Sequence, residues 1–117
     1  EGPEVQHART GDVTVAGSML AALAKENAGA EPMGSLGAVV GATIGTTTED
    51  LDINGPLLAP GLGAQGGTVD DLRRVFGPAA RRVVPATSRD VLAAGPDVAG
   101  LRAAAQARAQ EVAGLWP

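Results

Sequence analysis

Two groups of residues in this chain have the types and spacing to hold an anion. The first is Gly61-Leu62-Gly63-Ala64-Gln65-Gly66-Gly67. Glycines lack a Cβ and let backbone N–H groups approach a ligand, and Gln65 adds a donor and an acceptor at the loop tip. The second is Thr87-Ser88-Arg89-Asp90, where the planar fork of Arg89 suits bidentate capture of phosphate. Taken literally, the glycine run also reads GxGxxG, a dinucleotide fingerprint. That match is imperfect. The helix-capping pair Thr68 and Asp71 falls after the motif rather than inside it, and the acid wanted about 20 residues on comes late, behind an arginine. Gly41-Ala42-Thr43 is a third candidate: its small side chains let a ring or ribose approach, or simply let a strand pack closely on a helix.

Composition narrows the chemistry. Among 117 residues there is no Cys, a single His near the start, and 2% aromatics. That excludes disulfides, thiolate metal sites, a thiol nucleophile, a multi-histidine metal site and an aromatic stacking platform for single strands. No cofactor or metal is expected. The net charge of −4 argues against nucleic acid, and no apolar run approaches a membrane span. The lack of Cys fits a reducing, cytoplasmic setting. Charge is unevenly shared: residues 1–60 carry −6 and residues 61–117 carry +2, with seven Arg in the second part. The Arg-rich part suits a small anionic ligand.

The elements that must position these groups can be read from periodicity. Residues 1–11 read as a loop, with His7 a loop residue. Asp12 is expected to cap a helix to about residue 28 with Met19, Leu20 and Leu23 on its buried face. A buried strand is expected over 36–44, a short helix over 46–54, and a second strand over 56–60. Thr68 and Asp71 announce a helix closed by Gly77-Pro78. Residues 82–86 read as a third strand despite Pro85. Thr87 or Ser88 would cap a short helix, and a final helix would run over 98–115 with Val98, Leu101, Ala105, Val112 and Leu115 inward. Met19, Met33 and Trp116 are expected to fill or cover core. Strand–helix units repeated three times imply a parallel α/β sheet, either doubly wound or part of a (β/α)8 barrel. Both bind ligands at the carboxyl ends of the strands. There the candidates Gly41, Ala42, Thr43, Pro60, Gly61, Gly63, Gln65, Gly66, Ser88 and Arg89 fall.

The runs LLAPGLGAQGGTVDDL, RRVVPATSRDVLAAGPD and GAVVGATI together resemble the last three βα units of orotidine 5′-phosphate decarboxylase, in its longer bacterial, actinobacterial-type branch. The likeness covers nearly all of the chain from residue 13. It implies the C-terminal half of a single (β/α)8 barrel, the helix after strand 5 and then units 6 to 8, with the N-terminal half outside this chain. It further implies a cytoplasmic, homodimeric, cofactor-free lyase of pyrimidine biosynthesis that converts orotidine monophosphate to uridine monophosphate. By the same resemblance Gln65 closes over the substrate phosphate with Gly66 beside it, and Arg89 binds that phosphate. Many family members have Gly where this chain has Ser88.

The family's decarboxylation uses a Lys/Asp network on earlier strands, with one Asp from the partner subunit. This chain has one lysine, Lys25, inside a predicted helix. No catalytic residue is therefore expected here, and the segment by itself is expected to be inactive. Without the resemblance, a different sugar-phosphate barrel, a dinucleotide-binding half-domain and a non-catalytic interaction fragment remain as readings of the same residues.

Overall fold

The computed structural model describes residues 2–116. It divides into two compact units, one of residues up to 38 together with Thr47–Pro56, the other of Val39–Thr46 with the chain from Leu57 onward.

In the first unit, the stretch expected to be a loop instead forms a helical turn α1 (Pro3–Gln6) and a hairpin of β1 (Arg9–Thr10) with β2 (Val13–Thr14). The tight connection uses Gly11 at φ +64°, a conformation that is cheap only for glycine. Helix α2 (Val15–Glu26) begins later than Asp12 because Thr14 is its cap: the Thr14 hydroxyl accepts from the Gly17 amide. That hydroxyl donates in turn to Glu49, at 2.7 Å. A Cβ on Gly17 would lie 2.6 Å from the Glu49 carboxylate, so a glycine in the first turn lets a negative charge reach the helix start, where the dipole favours it.

Leu20 is buried on α2 as expected, but Met19 is exposed, and so is Met33 in the following loop. Neither is core. The stretch expected as a short helix over 46–54 is irregular chain, and Asn27 explains how it is held. Asn27 is 2% exposed. Its amide donates to the carbonyls of Leu36 (2.8 Å) and Ile53 (3.0 Å) and its oxygen accepts from the Leu36 amide (3.2 Å). One side chain satisfies buried backbone of two loops that have no ladder of their own.

The second unit carries the parallel sheet. The strand order is β3 (Ala38–Val39, with Val39 in this unit), β4 (Leu57–Pro60), β5 (Val83–Ala86), and β4 and β5 run parallel with Leu57 opposite Val83 and Pro60 opposite Ala86. The expected strand over 36–44 shortens to two residues, yet its ladder bonds continue: Val40 donates to Leu58 and Ala42 to Pro60. Among the described residues β5 is the edge of the sheet, and Pro85 removes one donor from it.

Alternation is clean. Leu57, Ala59 and Val83 are buried, while Val39, Leu58 and Val84 are 66%, 41% and 51% exposed. Opposite registers place Leu58 beside Val84, so one sheet face is buried and the other shows an apolar row.

Helix α3 (Val69–Phe76) buries Val69, Leu72, Val75 and Phe76 and leads through a 3-10 turn (Gly77–Arg82) into β5. Helix α4 (Arg89–Leu92) is one turn, packed on α5 (Val98–Ala113). No residue of α5 itself is fully buried. Val98 and Ala105, expected inward, are exposed, and so is much of Trp116; Leu115 is buried.

Candidate functional site

Three chain segments meet at the carboxyl ends of the parallel strands, all within the second unit. After β3 come Ala42 and Thr43, after β4 the glycine loop, after β5 the Thr87–Asp90 stretch. Glycine closeness measures how tightly they meet. A Cβ on Gly61 would sit 3.7 Å from the Thr43 methyl and 3.8 Å from the Ala42 Cβ; one on Gly67 would sit 3.1 Å from Ala42. A Cβ on Gly63 would sit 2.8 Å from the carboxyl carbon of Asp90. The glycine loop thus rests on the residue that follows Arg89.

The loop holds its own shape. Gly61, Gly63 and Gly66 have φ of +104°, +75° and +87°, positions at which any other residue is strained. The Gly66 amide donates to the Gly63 carbonyl (2.7 Å), Gly63 to Gly67 (2.9 Å), and Gly67 to Gly61 (3.0 Å). Its tip is exposed. Gln65 folds back so that its amide oxygen would lie 3.3 Å from a Cβ on Gly61, and its amide has no hydrogen-bond partner among the described residues. The guanidinium of Arg89, also exposed, makes no ion pair or hydrogen bond among them. A free amide and a free guanidinium at neighbouring strand ends are what an anion requires.

Helix α3 is closed to a ligand at its start. Thr68 and Asp71 form a reciprocal capping box: the Asp71 amide donates to the Thr68 hydroxyl (3.1 Å), and the Asp71 carboxylate accepts from the Thr68 amide (2.9 Å) and hydroxyl (2.7 Å). Those bonds, with the nearby Arg74, hold the Asp71 carboxyl below its ordinary value. A dinucleotide site needs that helix start inside the glycine motif and open to pyrophosphate. Here it lies beyond the motif and carries its own carboxylate.

Ser88 stands at the N-cap of α4, but neither it nor Thr87 caps that turn as expected. Ser88 makes no capping bond, and the Thr87 hydroxyl is buried without a partner among the described residues. Pro60 is half-buried at the end of β4 and Gly41 half-buried after β3. His7 lies in an exposed turn outside this unit. A cleft of about 560 Å³ adjoins these residues and is lined by Leu62, Pro85, Thr87, Ser88, Arg108 and Val112 among others.

The sequence reading missed Arg108. From α5 its Nε donates to Asp90 at 2.5 Å, and its Nη1 pairs with Glu111. The hydrogen bond with Asp90, the Glu111 charge and the Asp90 charge raise the guanidinium above its ordinary value. The signal in the sequence was weak, because Arg108 is one of five polar or charged residues along the alanine-rich stretch from 101 to 111 and reads as solvated helix surface. Among the described residues no group of His, Asp and Glu could hold a metal ion, and no helix is long and apolar enough to cross a membrane.

No family model matches the chain. Over 114 residues, 96% of its length, it is 63% identical to the orotidine 5′-phosphate decarboxylase of Streptomyces coelicolor, covering 41% of that protein. Over 96 residues it is 66% identical to the enzyme of that name in Nocardioides sp., covering 35% of it. The crystal structure of a Streptomyces avermitilis protein described as an orotidine 5′-phosphate decarboxylase superposes with a TM-score of 0.91 at 61% identity, over 98% of this chain and 41% of that one. Over nearly its whole length the chain is similar to the C-terminal portion of these orotidine 5′-phosphate decarboxylases. It spans about two fifths of the length of the S. coelicolor decarboxylase it matches. The observed α/β fold with its parallel sheet matches the corresponding part of the S. avermitilis structure.

Proposed function

We propose that this chain supplies the phosphate-holding end of a complete orotidine 5′-phosphate decarboxylase, a (β/α)8 barrel that turns orotidine monophosphate into uridine monophosphate and carbon dioxide in pyrimidine biosynthesis. Gln65 and Arg89 bind the substrate phosphate, the Gly66 loop backbone lies against it, and Ser88 stands at its edge. Ala42, Thr43 and Gly61 shape the adjoining floor, with Gly41, Pro60 and Gly63 behind them. The observation that carries this reading is the contact of Gly63 with Asp90, which brings the glycine loop against the Arg89 turn at the carboxyl ends of parallel strands. Barrel enzymes build phosphate sites from the loops after strands 7 and 8.

The open sheet face supports the barrel. Parallel sheets are covered on both faces, and the exposed row of Val39, Leu58 and Val84 is the pattern of inward residues awaiting the other strands of a closed barrel. The barrel's remaining strands carry the Lys/Asp chemistry, so this segment alone does not decarboxylate. The complete enzyme works as a cytoplasmic homodimer without a cofactor. Phosphate is remote from the carbon that loses carbon dioxide, and binding energy gained there serves to position the reacting group.

The test is kinetic, in the complete enzyme. Arg89→Ala removes up to two charge-assisted bonds, which corresponds to a rise in KM of about two to three orders of magnitude. Gln65→Ala removes neutral bonds and raises KM about tenfold. An unchanged KM for Arg89→Ala removes that residue from the site.

A further inference from the structure

Helix α4 is a single turn whose cap position makes no capping bond, and one turn has little stability of its own. It nonetheless carries Arg89. Its polar tether is Asp90, whose carboxylate accepts from Arg108 on α5 at 2.5 Å. Helix α5 is a steadier base: it has 16 residues and is N-capped by Asp97, whose carboxylate accepts from the Gly100 amide at 2.8 Å. The same carboxyl group lies 2.8 to 2.9 Å from where a Cβ on Gly63 would be. One carboxylate therefore touches both halves of the anion site, the glycine loop directly and Arg89 through the backbone. A carboxylate beside an anion site also repels the anion unless its charge is offset, and Arg108 supplies the offset.

We propose that Arg108 and Asp90 are a positioning pair for phosphate binding: Arg108 fixes and neutralises Asp90, and Asp90 sets the glycine loop against the turn that presents Arg89. Neither residue touches the substrate. The proposal rests on the phosphate-site reading above. It assigns Gly63 a second duty besides its positive φ, since any larger residue would push Asp90 off Arg108. Arg108 also offers its guanidinium to Glu111, one turn along α5, which keeps the arginine extended toward α4.

Arg108→Ala and the milder Arg108→Gln, in the complete enzyme, are compared with Arg89→Ala for KM and kcat with orotidine monophosphate, for inhibition by inorganic phosphate, and for Tm. Both Arg108 variants are expected to raise KM and the phosphate inhibition constant in parallel, about tenfold for alanine and less for glutamine, with kcat within about twofold. A purely structural role would lower Tm and the active fraction, and hence kcat, while leaving KM alone; that result overturns the pairing. So does an unchanged KM in Arg108→Gln when Arg89→Ala raises it, and glutamine carries the test if the alanine variant does not fold. If Arg89→Ala itself leaves KM unchanged, the phosphate-site reading falls first and the pairing with it.

Discussion

Gly63→Ala in the complete enzyme separates close packing from backbone preference at the heart of the site. Two costs combine at this position. The φ of +75° is one that an L-residue adopts at a cost of about 1 kcal/mol. The new methyl would also lie 2.8, 2.9 and 3.0 Å from the Cγ, Oδ2 and Cβ of Asp90. Contacts this short force a shift, and overpacking of this kind costs about 1–3 kcal/mol. The expected loss is therefore about 2–4 kcal/mol. Gly66→Ala is the internal control, because Gly66 has φ +87° with nothing within 4 Å of the added Cβ. It should cost only the backbone share, about 1 kcal/mol. Urea unfolding of the two variants, with slopes equal to the parent's, gives the difference. Asp90→Ala removes two of the three close atoms, so the double variant Gly63→Ala/Asp90→Ala should recover at least about 0.5 kcal/mol of the sum of the single effects. Equal costs for Gly63→Ala and Gly66→Ala, with additive behaviour toward Asp90, would refute the claim that the loop rests on Asp90.

Asn27→Ala leaves the buried Ile53 carbonyl and both backbone groups of Leu36 without their partners, and should destabilise the complete enzyme by about 2–4 kcal/mol in denaturant unfolding. Leu58→Ser distinguishes an open sheet face from a barrel interior: on a solvated face it costs within about 0.5 kcal/mol, and inside a closed barrel about 2–4 kcal/mol. The barrel account requires the larger value. Asp71 makes the cap of α3 sensitive to acid. Its carboxyl is held below the ordinary 3.8, so its stabilising contribution is complete above that value and fades as pH falls through the lower folded one. The Tm penalty of Asp71→Asn should be constant near neutral pH and vanish in strong acid; a penalty that persists there contradicts the assignment.

Much of the second unit was legible because local signals agreed with the fold. Thr68, Asp71 and Gly77-Pro78 mark the limits of α3 in chemistry that acts within one turn, and β4 is a short apolar run between Gly55-Pro56 and Gly61. The glycine loop and Arg89 could be read for the same reason, each being a strand end with distinctive residues. The first unit was less legible because its order comes from distant contacts. Nothing near Asn27 announces that its side chain will hold residues 36 and 53, so the expected helix over 46–54 had a plausible cap and no way to reveal itself as irregular chain. Met19, Val98 and Ala105 fall on the inward side by periodicity, which identifies an apolar face without telling whether this chain covers it. Arg108 was invisible for a related reason: its partner Asp90 lies 18 residues away, across a loop and a different helix.

The most direct measurement is a crystal structure of the complete enzyme with uridine 5′-monophosphate bound. The account predicts the phosphate between the 61–67 loop and α4, with its oxygens within hydrogen-bond reach of the Arg89 guanidinium and the Gln65 amide. A phosphate bound elsewhere, with Arg89 and Gln65 still facing solvent, would contradict it.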